Sequence, residues 1–327
     1  MSMEASIEKE IGKSADKMQK IDVVIPLYKP GRELFTLLDG LLNQTVKVNQ
    51  IILINTEEKY FTQLIYGSNF WKKYKGIVSV HHISQKEFNH GGTRRMAVRR
   101  SEAEIFVMMT QDALPANPHL LEKLLKALEQ DNVAVAYARQ LPTPDCGIIE
   151  RYTRSFNYPD SSHIRTIADL DKTGIKTFFC SDVCAAYKRK LYDELGGFVK
   201  RTIFNEDMIF AAGAIKSGYG IAYAADAEVI HSHNYTNTQQ LRRNFDLGVS
   251  QADNPQIFKN VSSEKEGKKL VKETVGWLWR SKKKRLLPRF FMQCVCKYVG
   301  YFLGKHYRGL PRFVVMACTD SPYYWER

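Results

Sequence analysis

The stretch Ile105–Pro118, IFVMMTQDALPANP, decides how the chain is read. Its first five side chains, Ile105 to Met109, form an apolar run without polar interruption, the pattern of a strand buried on both faces. The run stops abruptly at Thr110, Gln111 and Asp112. Open α/β sheets bind their ligands beyond the carboxyl ends of the strands, so a carboxylate at that lip makes Asp112 the first candidate for function. The alternative is that Asp112 caps a turn or the next helix, as Asp commonly does after a strand.

Outward toward the N-terminus, DVVIPLY (22–28) is a short β-branched run closed by Lys29, Pro30 and Gly31, where a buried strand turns into a helix. Leu34, Phe35, Leu37, Leu38, Leu41 and Leu42 recur at helical spacing as far as Gln44, and QIILIN (50–55) is a second buried strand. Strand, helix and strand in so short a span make a βαβ unit, the building block of a parallel sheet. The alternation predicts a helix over Phe61–Tyr74, a strand over Val78–Ile83, and a helix over Thr93–Ser101. Beyond the central strand it predicts a helix over Leu120–Glu129 and a strand over Val133–Tyr137. The expected fold is a Rossmann-like, mostly parallel central sheet flanked by helices. Neither GxGxxG nor the P-loop pattern occurs, which argues against a dinucleotide oxidoreductase or a P-loop NTPase.

Residues 1–20 are a polar leader, and residues 138–176, with Pro142, Pro144 and Pro159, read as a long surface connection. From Thr177 the pattern tightens into a strand, a helix over Lys188–Leu195 and a Gly196–Gly197 stop. A helix over Glu206–Lys216 with Asn205 as its cap follows, then short strands at Ile221–Ala224 and Glu228–His231.

With 327 residues and 44% hydrophobic side chains the chain can bury a large core. No run of 18 apolar residues and no signal-peptide pattern occurs, and the six cysteines are scattered without zinc spacing, so a reducing, cytoplasmic setting is expected. Residues 265–312 hold 14 Lys or Arg against Glu266 and Glu273, which leaves +1 of the net +13 for the rest of the chain. A nearly neutral body with a basic, aromatic tail points to an acidic surface as the tail's partner. RRM, KH and zinc-finger patterns are absent, so nucleic acid is not the expected partner.

Three groups at the ends of elements can carry chemistry: Asp112, the Glu206–Asp207 pair, and His231 with His233. Each has a plainer role open to it. Glu206 and Asp207 complement a helix dipole in its first turn, and the two histidines can share one solvated strand face. Asp and His together are suited to Mg²⁺ or Mn²⁺ beside a nucleoside diphosphate.

The order of PLYKPGRELFTLLDGLLNQT, QIILINT, FNHGGTRRMAV, IFVMMTQDALPANPHLL, FFCSDVCAAYKRKLYDELGGF, FNEDMIFAAGAIKSGYGIAY and VIHSHNYT resembles the inverting, GT-A fold glycosyltransferases of family 2. Within that family FNHGGTRR, MTQDALP and HSHNYTNTQQLRRNFDLG look most like the bacterial rhamnosyltransferases. The resemblance covers roughly residues 21–250. It implies a metal-dependent enzyme whose DxD element falls on Thr110, Gln111 and Asp112, with Thr110 in place of the first Asp. Asp112 is then the carboxylate metal ligand, His231 the later histidine ligand and His233 its near substitute. Asp207 is implied as the general base that takes the acceptor's proton, and Glu206 orients it or contacts the acceptor together with Ser181 and Asp182. Pro26, Leu27, Tyr28, Asn55 and Thr56 match the nucleobase and ribose positions, with Asn55 replacing an acidic residue. The loop His90, Gly91, Gly92, Thr93 and Arg94, with Gln111 and Asp112, matches the diphosphate side; a plain Gly-rich turn with Arg94 in solvent is the simpler alternative.

The resemblance further implies a nucleotide-sugar donor, dTDP-rhamnose first and a UDP-hexose second, and a polysaccharide or polyprenyl-diphosphate-linked acceptor. The break in DxD also leaves open a catalytically weak scaffold. The chain divides into a catalytic region, residues 21–250, with a donor half at 21–137 and an acceptor half at 177–250, and a helical basic tail, residues 251–327. In the tail, Trp277 and Trp279 with Lys282, Lys283, Lys284 and Arg285 match an interfacial amphipathic helix. Peripheral attachment to the inner face of the plasma membrane is expected; packing of these helices on the catalytic region, or a homodimer, is the alternative.

Overall fold

The computed structural model describes residues 20–326 except 260 and 262, so the leader lies outside the described residues apart from Lys20. Among the described residues nine strands form one sheet: β1 (Ile21–Tyr28), β2 (Gln50–Thr56), β3 (Val78–Ile83), β4 (Ile105–Met109), β5 (Leu114–Pro115), β6 (Val133–Leu141), β7 (His163–Arg165), β8 (Cys184–Lys188) and β9 (Gly220–Ile230). Their order is β3-β2-β1-β4-β8-β6-β9-β5, with β7 also on β9. β1 to β4 are mutually parallel, as their βαβ crossovers require, whereas β8 runs antiparallel to both β4 and β6 and makes the sheet mixed.

The strands that read as unbroken apolar runs are buried on both faces. Val23, Ile25, Leu27, Ile51, Leu53 and Val107 face one core, and Val24, Ile52, Ile54, Phe106 and Met108 the other. The first core is covered by α1 (Glu33–Leu42), which buries Leu34, Leu37, Leu38 and Leu41. That spacing is a single helical stripe, and each buried Leu contributes about 1.5–3 kcal/mol. The second is covered by α2 (His90–Val98), while α3 (Leu120–Leu128) joins α1 over the first.

Several boundaries differ from the expectation. The helix expected over Phe61–Tyr74 is two, Glu58–Ile65 and Phe70–Tyr74, because Gly67 at φ 67° turns the chain between them. Residues 138–176 are not a surface connection: β6 continues to Leu141, α4 (Ile148–Asn157) follows, and β7 pairs with β9. A strand of three residues carries no periodicity of its own, so only its partner reveals it. The two short strands near residue 225 are one strand, β9, whose pairing with β6 shifts register between Ala138 and Arg139. α5 (Glu206–Lys216) forms as expected, but Asn205 adopts a left-handed backbone, φ 63°, and makes no side-chain cap.

Beyond β9, α6 (Asn237–Asp253) is capped by Thr236 through a capping box with Gln239. It packs along α8 (Leu287–Lys305) at Gly300 and Gly304, where any side chain would strike the carbonyls of Leu241 and Phe245. α7 (Ser263–Arg280) lies against α4, and Trp277 stacks on Tyr152 with ring centroids 4.3 Å apart. Trp277, expected at a membrane, is therefore packed inward, whereas Trp279 is 58% exposed with Lys284 over its ring. No helix among the described residues is long and apolar enough to cross a membrane.

Candidate active site

The carboxyl end of β4, the end of β9 and the start of α5 converge. Asp112 follows β4, and its Oδ2 lies 3.2 Å from His233 Nε2 and 3.5 Å from His231 Nε2. The three side chains offer ligand atoms within 4.8 Å of one another, the one such His/Cys/Asp/Glu group among the described residues. Both histidines hold the Asp112 carboxyl far below its usual range against the opposing effect of burial. His231 is buried, and burial lowers its basicity.

A residue with no distinguishing signal in its sequence neighbourhood sets the state of His231. Gln140, at the end of β6, is 4% exposed and accepts from His231 Nδ1 at 2.9 Å through its Oε1, which also accepts from Arg154. Its Nε2 donates to the Tyr158 hydroxyl at 2.6 Å and to Ser181 Oγ at 2.9 Å. Because Oε1 has no proton, Nδ1 must carry one; the protonated ring donates to Asp112 through Nε2, whereas in the neutral ring Nε2 offers a lone pair on the Asp112 side, open to a cation. A histidine orientated through its other nitrogen, beside a carboxylate, is the donor set that a hard or borderline divalent cation requires, so the residues fit the implied metal.

A second cluster surrounds Asp207. Arg94 is buried, with Nε 3.0 Å from Glu206 Oε1 and 3.3 Å from Asp182 Oδ2. Burial acts to raise Glu206, but the Arg94 and His90 charges outweigh it and hold the carboxyl down to about 2. Burial and the neighbouring Glu206 charge instead raise Asp207 to about 7, against backbone N–H groups of Asp182 (3.1 Å) and Met208 (2.7 Å) that donate to its two oxygens. The pair is thus split into a fixed anion and a carboxylate poised near neutrality, the condition that suits a general base.

Several expected contacts fall differently. Arg94 does not stand free toward a diphosphate, because its guanidinium is enclosed between Glu206 and Asp182. His90 to Arg94 form the first turn of α2, with Asn89 Oδ1 capping Gly92 N at 2.7 Å, rather than a loop. Gly91 and Gly92 admit the backbone of Val199 and Lys200, which a Cβ at either position would strike. Thr93 is buried beneath this turn, its hydroxyl accepting from Asn89 N. Asp182 accepts from Tyr187 at 2.5 Å and is buried, and Ser181 is buried against Gln140, so neither offers the acceptor an open surface. Leu27 lies in the core, Pro26 is half-buried and Tyr28 is exposed. Gln111 is paired on the Tyr28 backbone, at 2.9 and 3.1 Å, and Asn55 Nδ2 on His82 and the Glu57 carbonyl. Thr56 lines a small cavity beside Tyr28 and His90.

The fold and these carboxylate and histidine clusters define a sugar-transfer enzyme class: the chain belongs to glycosyl transferase family 2, whose model matches residues 22–196. The chain is 36% identical over 309 residues to the O-antigen chain rhamnosyltransferase RfbN of Salmonella typhimurium, covering 94% of this chain and 96% of that protein. It is also 36% identical over 312 residues to the O-antigen chain rhamnosyltransferase WbaN of Salmonella anatum, again covering 94% and 96%. Among solved structures it is similar in fold to mannosyltransferase PcManGT from Pyrobaculum calidifontis in complex with GDP-Man and Mn²⁺. That likeness has a TM-score of 0.58 at 13% identity and covers 93% of this chain and 92% of that one.

Proposed function

We propose that this chain transfers L-rhamnose from dTDP-β-L-rhamnose, with inversion, to a hydroxyl of a lipid-linked cell-surface polysaccharide at the inner face of the plasma membrane. The observation that carries the reading is the pairing of Asp112, His231 and His233 with a separate carboxylate, Asp207, held near neutrality. Asp112 and His231, with His233, would hold Mn²⁺ or Mg²⁺, which supplies positive charge where the departing nucleoside diphosphate gains negative charge. Asp207 accepts the acceptor hydroxyl's proton as its oxygen attacks the anomeric carbon from the face opposite the leaving group. Arg94 is committed to Glu206 and Asp182, and the Glu206 charge raises Asp207 more than the Arg94 charge lowers it, which preserves its basicity. Both relatives at 36% identity are named as rhamnosyltransferases, which favours rhamnose over a hexose.

The acceptor side is supported by a cleft of about 940 Å³ that begins at His233, Asn234 and Tyr235 and runs between α4, α7 and α8. Its lining is mainly apolar, with Lys268, Lys272, Arg289 and Lys297 among it, a surface suited to an anionic lipid carrier. Phe291, Val295, Tyr298, Val299 and Phe302 form an exposed stripe on α8, the side from which such a tail would meet a leaflet. In this reading residues 21–250 are the catalytic region and 251–327 its membrane-facing part.

Purified protein is to be tested for thermal stabilisation and sugar release with dTDP-rhamnose, UDP-glucose, UDP-galactose and GDP-mannose, with and without Mn²⁺. Response confined to dTDP-rhamnose plus metal is expected. A UDP sugar giving the response instead overturns the rhamnose assignment, and silence toward every donor overturns the enzymatic reading.

A further inference from the structure

The cavity beside Tyr28, about 210 Å³, has one wall from the ends of β1 and β2 and the loop before α2, and the other from Asp320 to Tyr324, some 290 residues along the chain. The chain fastens that second wall at several points. Asp246 on α6 accepts from the Thr319 hydroxyl at 2.6 Å and from Asp320 N–H at 3.1 Å. Arg201 donates to the Tyr324 carbonyl at 2.8 Å, and its guanidinium lies over the Tyr324 ring at 4.7 Å. Trp325 packs on Phe245 and Tyr307 in a buried cluster. The segment is a built part of the site.

The lining is chemically suited to a nucleoside. Tyr28 and Tyr323, from the two walls, are each a little under 40% exposed and bring aromatic surface to the same cavity. The Gln85 amide, also in the lining, donates to the Tyr28 hydroxyl at 3.1 Å. The Thr56 hydroxyl is buried here without a protein partner, an unfavourable state that a ligand's polar edge relieves. The volume lies below the roughly 300–1,000 Å³ typical of whole small-molecule sites, so the cavity takes one flat moiety rather than an entire nucleotide sugar.

We infer that Asp320–Tyr324 is a resident wall of the donor site, with Tyr323 stacking on the base of the nucleoside diphosphate and Thr56 bonding its polar edge. This rests on the glycosyltransferase reading above and adds to it a recognition element from the tail, which sequence reasoning assigned to a membrane. The same segment ties donor binding to the packing of α6.

The test is calorimetric titration of the full chain with dTDP, for wild type, Tyr323→Ala and Tyr323→Phe, with amide hydrogen exchange over residues 319–326 of the wild type. Base stacking on an aromatic ring is sensitive to truncation, so Tyr323→Ala should weaken dTDP binding between roughly 5- and 150-fold while Tyr323→Phe stays within about threefold. Saturating dTDP should slow exchange in the segment. Unchanged dTDP affinity in a folded Tyr323→Ala overturns the inference, and so does exchange that dTDP leaves unaltered, which decides the matter if Tyr323→Ala does not fold. A wild type that binds neither dTDP, UDP nor GDP overturns the donor reading itself, and the inference with it.

Discussion

Replacing Gln140 by Met isolates the link between β6 and the metal-ligand cluster. The side chain is nearly isosteric but loses the oxygen that accepts from His231 Nδ1 at 2.9 Å and the amide that donates to Tyr158 and Ser181. His231 is then free to adopt either tautomer and to rotate, so the Nε2 lone pair no longer faces Asp112 by default. Loss of an outer partner of a ligating histidine typically costs 10- to 100-fold in metal affinity, and that is the expected weakening for Mn²⁺. The half-buried Arg154 keeps Glu150 at 2.6 Å, but Ser181 and Tyr158 lose a donor; about 1–3 kcal/mol of stability should go with them. Mn²⁺ binding is to be measured directly, from the free-ion magnetic resonance signal, beside a His231→Ala reference and a thermal melt. A folded Gln140→Met protein that binds Mn²⁺ within twofold of wild type would refute the reasoning, because His231 would then need no orienting partner.

Asp207→Asn should fold and bind donor but lose transfer by roughly 10²–10⁴-fold, since the acceptor proton has no base to receive it; near wild-type turnover removes Asp207 from the mechanism. With Asp207 raised to about 7, kcat/KM should climb as pH rises through neutrality and fall on the acid side, seen in a pH–rate profile. The same shift has a stability consequence of opposite sense. A carboxyl that holds its proton more tightly folded than unfolded favours the fold at low pH and loses that contribution as pH rises through about 7, so Asp207→Asn should melt higher than wild type at pH 8 but not at pH 4. Gly300→Val should push α8 from α6 and lower the melting temperature, at a cost of about 1–3 kcal/mol, since its Cβ meets the Leu241 carbonyl. Phe291→Glu with Phe302→Glu, both on exposed positions of α8, should reduce sedimentation with anionic vesicles while leaving dTDP affinity unaltered; equal sedimentation removes the stripe as the attachment surface.

The sequence by itself determined what local periodicity and chain order can carry. The unbroken apolar runs of β1, β2 and β4, the leucine stripe of α1 and the abrupt stop at Thr110 to Asp112 each report burial and element type without reference to any distant residue, and they sufficed to place the chain in an α/β class. Asp112, Glu206, Asp207, His231 and His233 were legible because polar groups stood where apolar patterns ended. Only the tertiary structure decided how those residues are partnered. Arg94 is sequestered by two carboxylates, one just before β8 and one at the start of α5, Gln140 reaches His231 across the β6–β9 pairing, and Asp320–Tyr324 returns to wall a cavity formed by β1 and β2. The physical reason is common to all three: a hydrogen bond or ion pair between residues tens or hundreds of positions apart leaves no periodic trace in either segment, so it becomes visible only when the sheet has brought their backbones together.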